Sequence, residues 1–454
     1  MPHPDMSLLL WEQRRQEERR DRLDSYRRNW EYYNGRHNLP LPTRTGQPDD
    51  NVILNLLKLI VDKSASYLFG KSVGFELAEG ETTPEEQYLA DVWAANRKMT
   101  FLLKYAKSGG LYGHGFIKIV PDGVRPGVPR LVALEPEIVT VDWDEQDIDR
   151  VTRYRIEWVA AGDDGRPRYY RQDITRDGER WQVENQRAQG QGSYGPDPDN
   201  PDLVWPYSWP PIIDNQNLPL PGAYYGQSDL EEIRTQDAIN YVASNIQRIL
   251  RYHAHPKTVA AGVGSGDLRA GADDVTLLPS PDAWIKNLEM ASDLGSSLAF
   301  LERLTLWLLR VTRTPNLDPT QVSVGALSGF ALKILYGDAL EKTHEKRLTY
   351  GDMLVELNRR LLELGGYGPD LWTTLHWQDP LPEDAAAERQ RDEFELTNGV
   401  ASLETVRARR GLDNEVEETR IAAEQAARSA REGNVGALLV QDFFTNRRPE
   451  EGGR

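Results

Sequence analysis

Five short stretches carry residue types that perform chemistry when correctly spaced. LFGKS, residues 68–72, holds the Gly-Lys-Ser of a phosphate-cradling loop, in which backbone amides and the lysine grip a polyphosphate at the start of a helix. That pattern needs a glycine five places before Gly70, where Ala65 stands, and the stretch closes an apolar helical run instead of opening one. GVGSGD, residues 262–267, is rich in glycine but has neither the lysine nor the long following helix, so it is expected to be a flexible turn. GALSG, residues 325–329, places Ser328 one position off a nucleophile elbow and follows a loop where that motif needs a strand. DWDEQDID, residues 142–149, bunches carboxylates, but a calcium loop wants glycine at its sixth position and finds Asp147. His253 and His255 sit two apart, as a zinc pair on a strand would, with no third ligand nearby. No acid/base pair, nucleophile, metal site or cofactor loop survives these tests, and no catalytic residue is expected.

The surrounding elements are mostly helical. Residues 8–33 form a mixed-charge helix, with Leu8, Trp11, Arg15, Arg19, Arg22 and Tyr26 at helical spacings, and it stops at Asn34-Gly35. Prolines 40, 42 and 48 make a loop, and the apolar pattern predicts a second helix over 50–68. A third is expected over 85–109. Short β-rich runs follow at 115–120, 130–134, 138–142, 150–160 and 168–174, separated by turn sequences, which predicts an antiparallel sheet. Residues 189–202 have the composition of an exposed loop.

Two rods dominate the centre. Ser228 or Asp229 is expected to cap a helix running to about Tyr252, with Glu231 and Glu232 in its first turn. It carries an apolar stripe of Ile239, Val242, Ile246 and Ile249 beside a polar one of Asn240, Ser244, Gln247 and Arg251. Some 24 residues at about 1.5 Å each give roughly 36 Å. Asp293 caps the second rod, where Leu294, Leu298, Leu301, Leu304 and Leu308 repeat, and which stops before Pro315. Strand candidates at 257–260, 275–278 and 283–288 make a small α+β tip between them. Beyond the loop TPNLDPTQVSVGALS, a helix over 329–364 is apolar on several faces in its first half (Phe330, Leu332, Ile334, Leu335, Tyr336), so more than one side is covered. Gly337 is a candidate kink. Residues 383–431 read as helices broken at 398–399 and 410–411, with fraying after Thr445.

With 454 residues the chain can bury a sizeable core, and the absence of cysteine excludes disulfides, thiolate catalysis and thiolate metal sites. The initial apolar patch is too short for a signal-peptide core, and no window approaches a membrane span, so synthesis in a cytoplasm is expected. A net charge of −17 excludes a protein that coats nucleic acid, though not a surface past which DNA slides without sticking.

RRNWEYYNGRHN (27–38), NVILNLLKLIVDKSASYLFGKSV (51–73), SGFALKILYGDALEK (328–342) and NGVASLETVRARRGL (398–412) together resemble, in order and spacing, the portal proteins of long-tailed bacteriophages. The sequence departs from them at Ser72, where proline is common, and residues 162–217 have no clear counterpart.

The resemblance implies an α+β, mainly helical subunit of a ring, usually of twelve copies, at one capsid vertex, through which double-stranded DNA is packaged and ejected. It implies a wing over 1–226, stem helices over 227–252 and 293–314, an α+β clip over 253–292, a tunnel loop over 315–327, a tunnel helix and return to the wing over 328–382, and a helical crown and tail over 383–454. The expected partners are further copies of the chain, DNA held weakly and without sequence preference, the terminase large subunit, a head-completion or adaptor protein, scaffold and major capsid protein, with no membrane. The protein would reside in the virion. Asn316, Asp318, Thr320, Gln321, Val322, Ser323 and Gly325 would face DNA. Ser328 and Gly329 would start the helix and act with Gly337 as hinges, and Lys333 would be either a channel-lining cation or half of a surface ion pair. The competing expectation is an enzyme or DNA-processing factor whose substrate lid is residues 315–328.

Overall fold

In the computed structural model the first helix, α1 (Pro4–Tyr33), ends where the sequence places its stop, at Asn34-Gly35, with Gly35 at φ +79°. The structure describes residues 4–425 apart from 44–48, 78–82, 122–126, 145, 163–164, 189–192, 255–256, 262–281, 283, 289–293, 316–332, 382–384, 410–413 and 415–416. About half of the described residues are helical and about a fifth are strand.

The second helix, α2 (Leu56–Phe69), starts later than predicted, because tertiary hydrogen bonds claim the backbone of residues 51–55. Val52 N donates to Ser244 Oγ (2.9 Å), Leu54 N donates to Asn240 Oδ1 (3.0 Å), and Gln236 Nε2 donates to the Leu54 carbonyl (2.6 Å). Asn55 then caps α2 by accepting from Lys58 N. The polar stripe seen in the sequence at Asn240 and Ser244 thus has a use: it is buried and holds an extended segment.

After β1 (Val73–Glu76), the single helix expected over 85–109 is two, α3 (Pro84–Ala95) and α4 (Lys98–Tyr112). α3 opens with a capping box between Thr83 and Glu86. The break falls at Asn96-Arg97, with Arg97 at φ +53°, because the Asn96 side chain bonds to Pro129 O and Leu131 N instead of facing water.

The strands are antiparallel, as predicted. β2 (His114–Val120) lies between β3 (Arg130–Leu134) and β10 (Ile212–Gln216). Past a 3₁₀ turn at Pro136–Ile138, β4 (Val139–Trp143), β5 (Val151–Ala161), β6 (Pro167–Asp177), β7 (Arg180–Ala188) and β8 (Gly195–Pro196) pair in that order, with β9 (Leu203–Trp205) also on β7. Strands β7 to β10 have no counterpart in the prediction. β7 buries Trp181 and Val183 on one face and Ala188 on the other, too sparse an alternation to stand out, and part of the segment expected to be loop, 195–196, pairs as β8.

The first rod, α5 (Ile233–Ala254), begins after Asp229, and Glu231 and Glu232 precede it. β11 (Lys257–Ala261) pairs with β12 (Trp284–Leu288), which leads to α6 (Leu294–Val311); the strand expected at 275–278 lies outside the described residues, as does Asp293. α5 and α6 pack together and run antiparallel, since β11 and β12 join their far ends. Residues 333–335 are helical, a turn at Tyr336 follows, and α7 (Gly337–Leu364) runs on without a break. α7 packs Tyr350, Leu354, Leu357 and Leu361 into the main core beside α2, α3 and β10, about 1.5–3 kcal/mol of burial each. β13 (Thr374–Trp377) pairs with β1. The chain forms two compact units, Met1–Leu381 and Pro382–Arg454, and in the second α8 (Ala385–Thr397) and α9 (Leu403–Arg409) are described; the expected fraying beyond Thr445 lies outside the described residues. No described helix is long and apolar enough to cross a membrane.

Candidate functional site at the root of the paired helices

Of the residues expected to meet DNA, Asn316, Asp318, Thr320, Gln321, Val322, Ser323 and Gly325 lie outside the described residues, as do Ser328 and Gly329. Lys333 is exposed and its Nζ is 3.2 Å from Asp379 Oδ2, which is the ion-pair alternative. Gly337 is the first residue of α7, directly after the turn at Tyr336. What the structure does place is the frame from which that loop departs and to which it returns.

Asp229, expected as a cap, is instead buried, and one turn of α7 closes on it. Lys346 Nζ donates to Asp229 Oδ2 at 2.7 Å, and Lys342 Nζ is 2.9 Å from Oδ1 as an ion contact without hydrogen-bond alignment. Lys342 also donates to the carbonyl of Thr312, just past the end of α6, at 3.1 Å. Burial alone would raise the Asp229 carboxyl, but two adjacent ammonium groups overturn it and hold the pKa at about 2. Burial pushes Lys346 down to about 8 against the pull of Asp229. At neutral pH Asp229 and Lys346 are both charged, so the carboxylate is locked and unavailable as a base.

α6 ends in the 6→1 and 5→2 hydrogen bonds of a Schellman motif: Thr314 N donates to Leu309 O (2.8 Å) and Arg313 N to Arg310 O (3.0 Å). The left-handed position, φ +53°, is usually glycine and is here Arg313. Its guanidinium forms two bonds of 2.8 Å to Glu345 on α7, which hold the Glu345 carboxyl below its ordinary pKa. The start of α5 and the end of α6 are therefore both fastened to one stretch of α7, 342–346.

The third wall is the end of α4. Asp229 N donates to Gly110 O (2.8 Å), and Ser228 Oγ lies 2.9 and 2.8 Å from the carbonyls of Gly110 and Leu111. A Cβ on Gly110 would sit 2.6 Å from Asp229 Oδ2, and one on Gly109 would sit 2.0 Å from the Tyr350 hydroxyl. That hydroxyl donates to Asn217 Oδ1 at 3.2 Å. The missed signals were two: adjacent glycines inside a helix, and Lys342 and Lys346 four apart on a face that also carries Ala339 and Tyr350.

The remaining motifs carry no chemistry among the described residues. Lys71 donates to the Leu381 carbonyl at 2.7 Å, so LFGKS has no free lysine for a phosphate. Asp142 is held by Arg15 and Arg153, and no cluster of three metal-ligating side chains occurs among the described residues. GVGSGD, GALSG and His255 fall outside them, and His253 lies in the last turn of α5.

Compared with models of known families, the chain matches the one described as phage portal protein, SPP1 Gp6-like, over residues 13–432. The chain belongs to the phage portal protein family. The match spans nearly the whole chain and includes residues 162–217, where sequence motifs alone found no counterpart. A comparison with curated proteins gave no significant match. For a portal-family chain, a site made of fastened helices instead of catalytic groups is the appropriate kind: the family is structural, and the root described above sets where its helices point.

Proposed function

We propose that this chain is the subunit of a ring-shaped channel at a phage capsid vertex, through which double-stranded DNA enters and leaves. Besides family membership, one observation carries the reading: the paired helices keep apolar side chains on faces that the chain leaves uncovered. Tyr241 and Leu250 on α5, and Leu298, Phe300, Trp307 and Val311 on α6, are each at least 47% exposed, although both helices also bury apolar stripes. On α6, Phe300, Trp307 and Val311 share one face at helical spacing, and an uncovered apolar face of this kind suits contact with further copies of the same subunit. Ile334 and Leu335, ahead of α7, are likewise exposed, in keeping with a first half that neighbours cover.

In this reading α5 and α6 are the stem, β11 and β12 belong to the clip, and residues 315–327 project into the channel. Their polar, mostly uncharged side chains touch DNA without reading its sequence. The net charge of −17 keeps those contacts weak. The docking partners are a terminase large subunit, a head-completion protein, scaffold and major capsid protein, and the assembly resides in the virion.

Mass photometry of the purified chain tests the ring: a species many times 51.6 kDa is expected, and a monomer at micromolar concentration refutes it. Trp307→Glu with Phe300→Glu should yield a folded monomer. Deleting residues 321–325 should leave the assembly intact and impair DNA packaging; loss of assembly would give the loop a structural role instead.

A further inference from the structure

Away from the paired helices, α1 crosses the edge strand β4 and leaves a cavity of about 440 Å³ between them. Its walls carry five guanidinium groups, from Arg15, Arg19 and Arg22 on α1 and Arg153 and Arg155 on β5, against the carboxylates of Glu18 and Asp142. In a chain of net charge −17 this local excess of positive charge runs against the whole. Three of the arginines are committed: Arg15 and Arg153 to Asp142, and Arg155 to Asp173 at 2.7 Å. Arg19 makes a longer contact, 3.4 Å, to Glu157. Arg22 has no carboxylate partner among the described residues; it lies 3.5 Å over the ring of Tyr225, and its Nε and Nη1 are shut off from water without an acceptor.

The walls also decide what kind of anion fits. Nucleic-acid sites pair positive charge with aromatic faces on which bases stack. Here those faces are taken: Arg22 covers Tyr225, while Trp143 has Arg15 on it at 4.8 Å and stacks on Tyr224 at 5.0 Å. A single small oxyanion would leave most of the cavity empty. The volume suits several side chains at once, and mixed aromatic and guanidinium walls suit side chains that carry methylenes behind a charge.

We propose that this pocket receives an acidic peptide segment of a partner protein, with its carboxylates on Arg22 and Arg19. No step of this depends on the channel reading. The test uses the full chain and a fluorescently labelled hexaglutamate peptide, followed by anisotropy at low salt and again at physiological salt. Binding that weakens with salt, falls about tenfold or more in Arg22→Ala and falls by a smaller factor in Arg19→Ala is expected. Arg19→Ala keeps the test open if Arg22→Ala fails to fold, since Arg19 is exposed. Absence of binding, or unchanged affinity in both variants at unchanged melting temperature, overturns the proposal. Displacement of the peptide by citrate or by a DNA duplex at equal charge concentration overturns it as well, since it would show a general anion site.

Discussion

Replacing Asp229 by Asn removes the charge that two buried lysines share while keeping the shape of the side chain. Breaking a buried ion pair from one side costs about 3–5 kcal/mol, because the remaining charge has neither water nor partner. Here Lys342 and Lys346 are both buried, which places Asp229→Asn at the upper end of that range at pH 7. The pH dependence gives an independent check. The Asp229 carboxyl lies at about 2 in the folded chain against an ordinary 3.8, so it stabilises the fold fully above pH 3.8 and progressively less as pH falls through 2. The shift corresponds to about 2 kcal/mol. The variant lacks this contribution, and its acid limb between pH 4 and 2 should be shallower. Lys346 acts in the other direction: its folded pKa, about 8 beside Asp229, drops further without it. The penalty of burying its charge is complete below that pKa and is relieved as pH rises toward the ordinary 10.5, so the variant should gain stability on going from pH 7 to 9. Adding Lys346→Met to Asp229→Asn should restore part of the loss at pH 7. Denaturant unfolding across pH 2–9 measures all of this, and a loss below 1 kcal/mol at pH 7 with an unchanged acid limb would refute the account.

Gly109→Ala should destabilise the chain by about 1–3 kcal/mol, the cost of overpacking, because its Cβ would meet the Tyr350 hydroxyl at 2.0 Å; Tyr350→Phe in the same background should recover part of it, read by thermal unfolding. At Arg313 two effects separate. Arg313→Ala loses a half-exposed ion pair worth up to about 1 kcal/mol and keeps the left-handed strain, whereas Arg313→Gly loses the same pair but relieves about 1 kcal/mol of strain. The glycine variant should be the more stable of the two by calorimetry, and the reverse order would mean that the arginine is not strained.

The parts legible in the sequence are those set by local periodicity. The run 130–134 appears as β3 at the same residues, β5 and β6 within a few, and the two rods with a strand-bearing insert are present as α5, α6, β11 and β12. Periodicity failed where distant side chains took over the backbone. Residues 51–55 carry an apolar helical pattern, yet side chains nearly 190 residues away on α5 hold them extended. Asn96 ends α3 for the sake of a strand 35 residues later. Asp229 followed by a glutamate pair looked like the start of a helix because capping and ion pairing use the same residue type; only the fold brings Lys342 and Lys346 to it. The loop residues 316–329 rest on the family resemblance, since small and polar residues leave no periodic trace.

The arrangement of α5 has a mechanical meaning. A helix seated by apolar contacts alone can slide or roll by a fraction of a turn at little cost, since such contacts have no direction. α5 is seated on one side by Gln236, Asn240 and Ser244, each bonded at a fixed angle to the backbone of residues 52–54. Any roll about its axis breaks several of these bonds at once in a dry environment. Ile239, Ala243 and Ile246 are buried beside them, and Tyr241 and Leu250 are exposed. The rod is thus keyed against rotation where it meets residues 52–54, so a sideways push on its free length is expressed as tilt and not as twist.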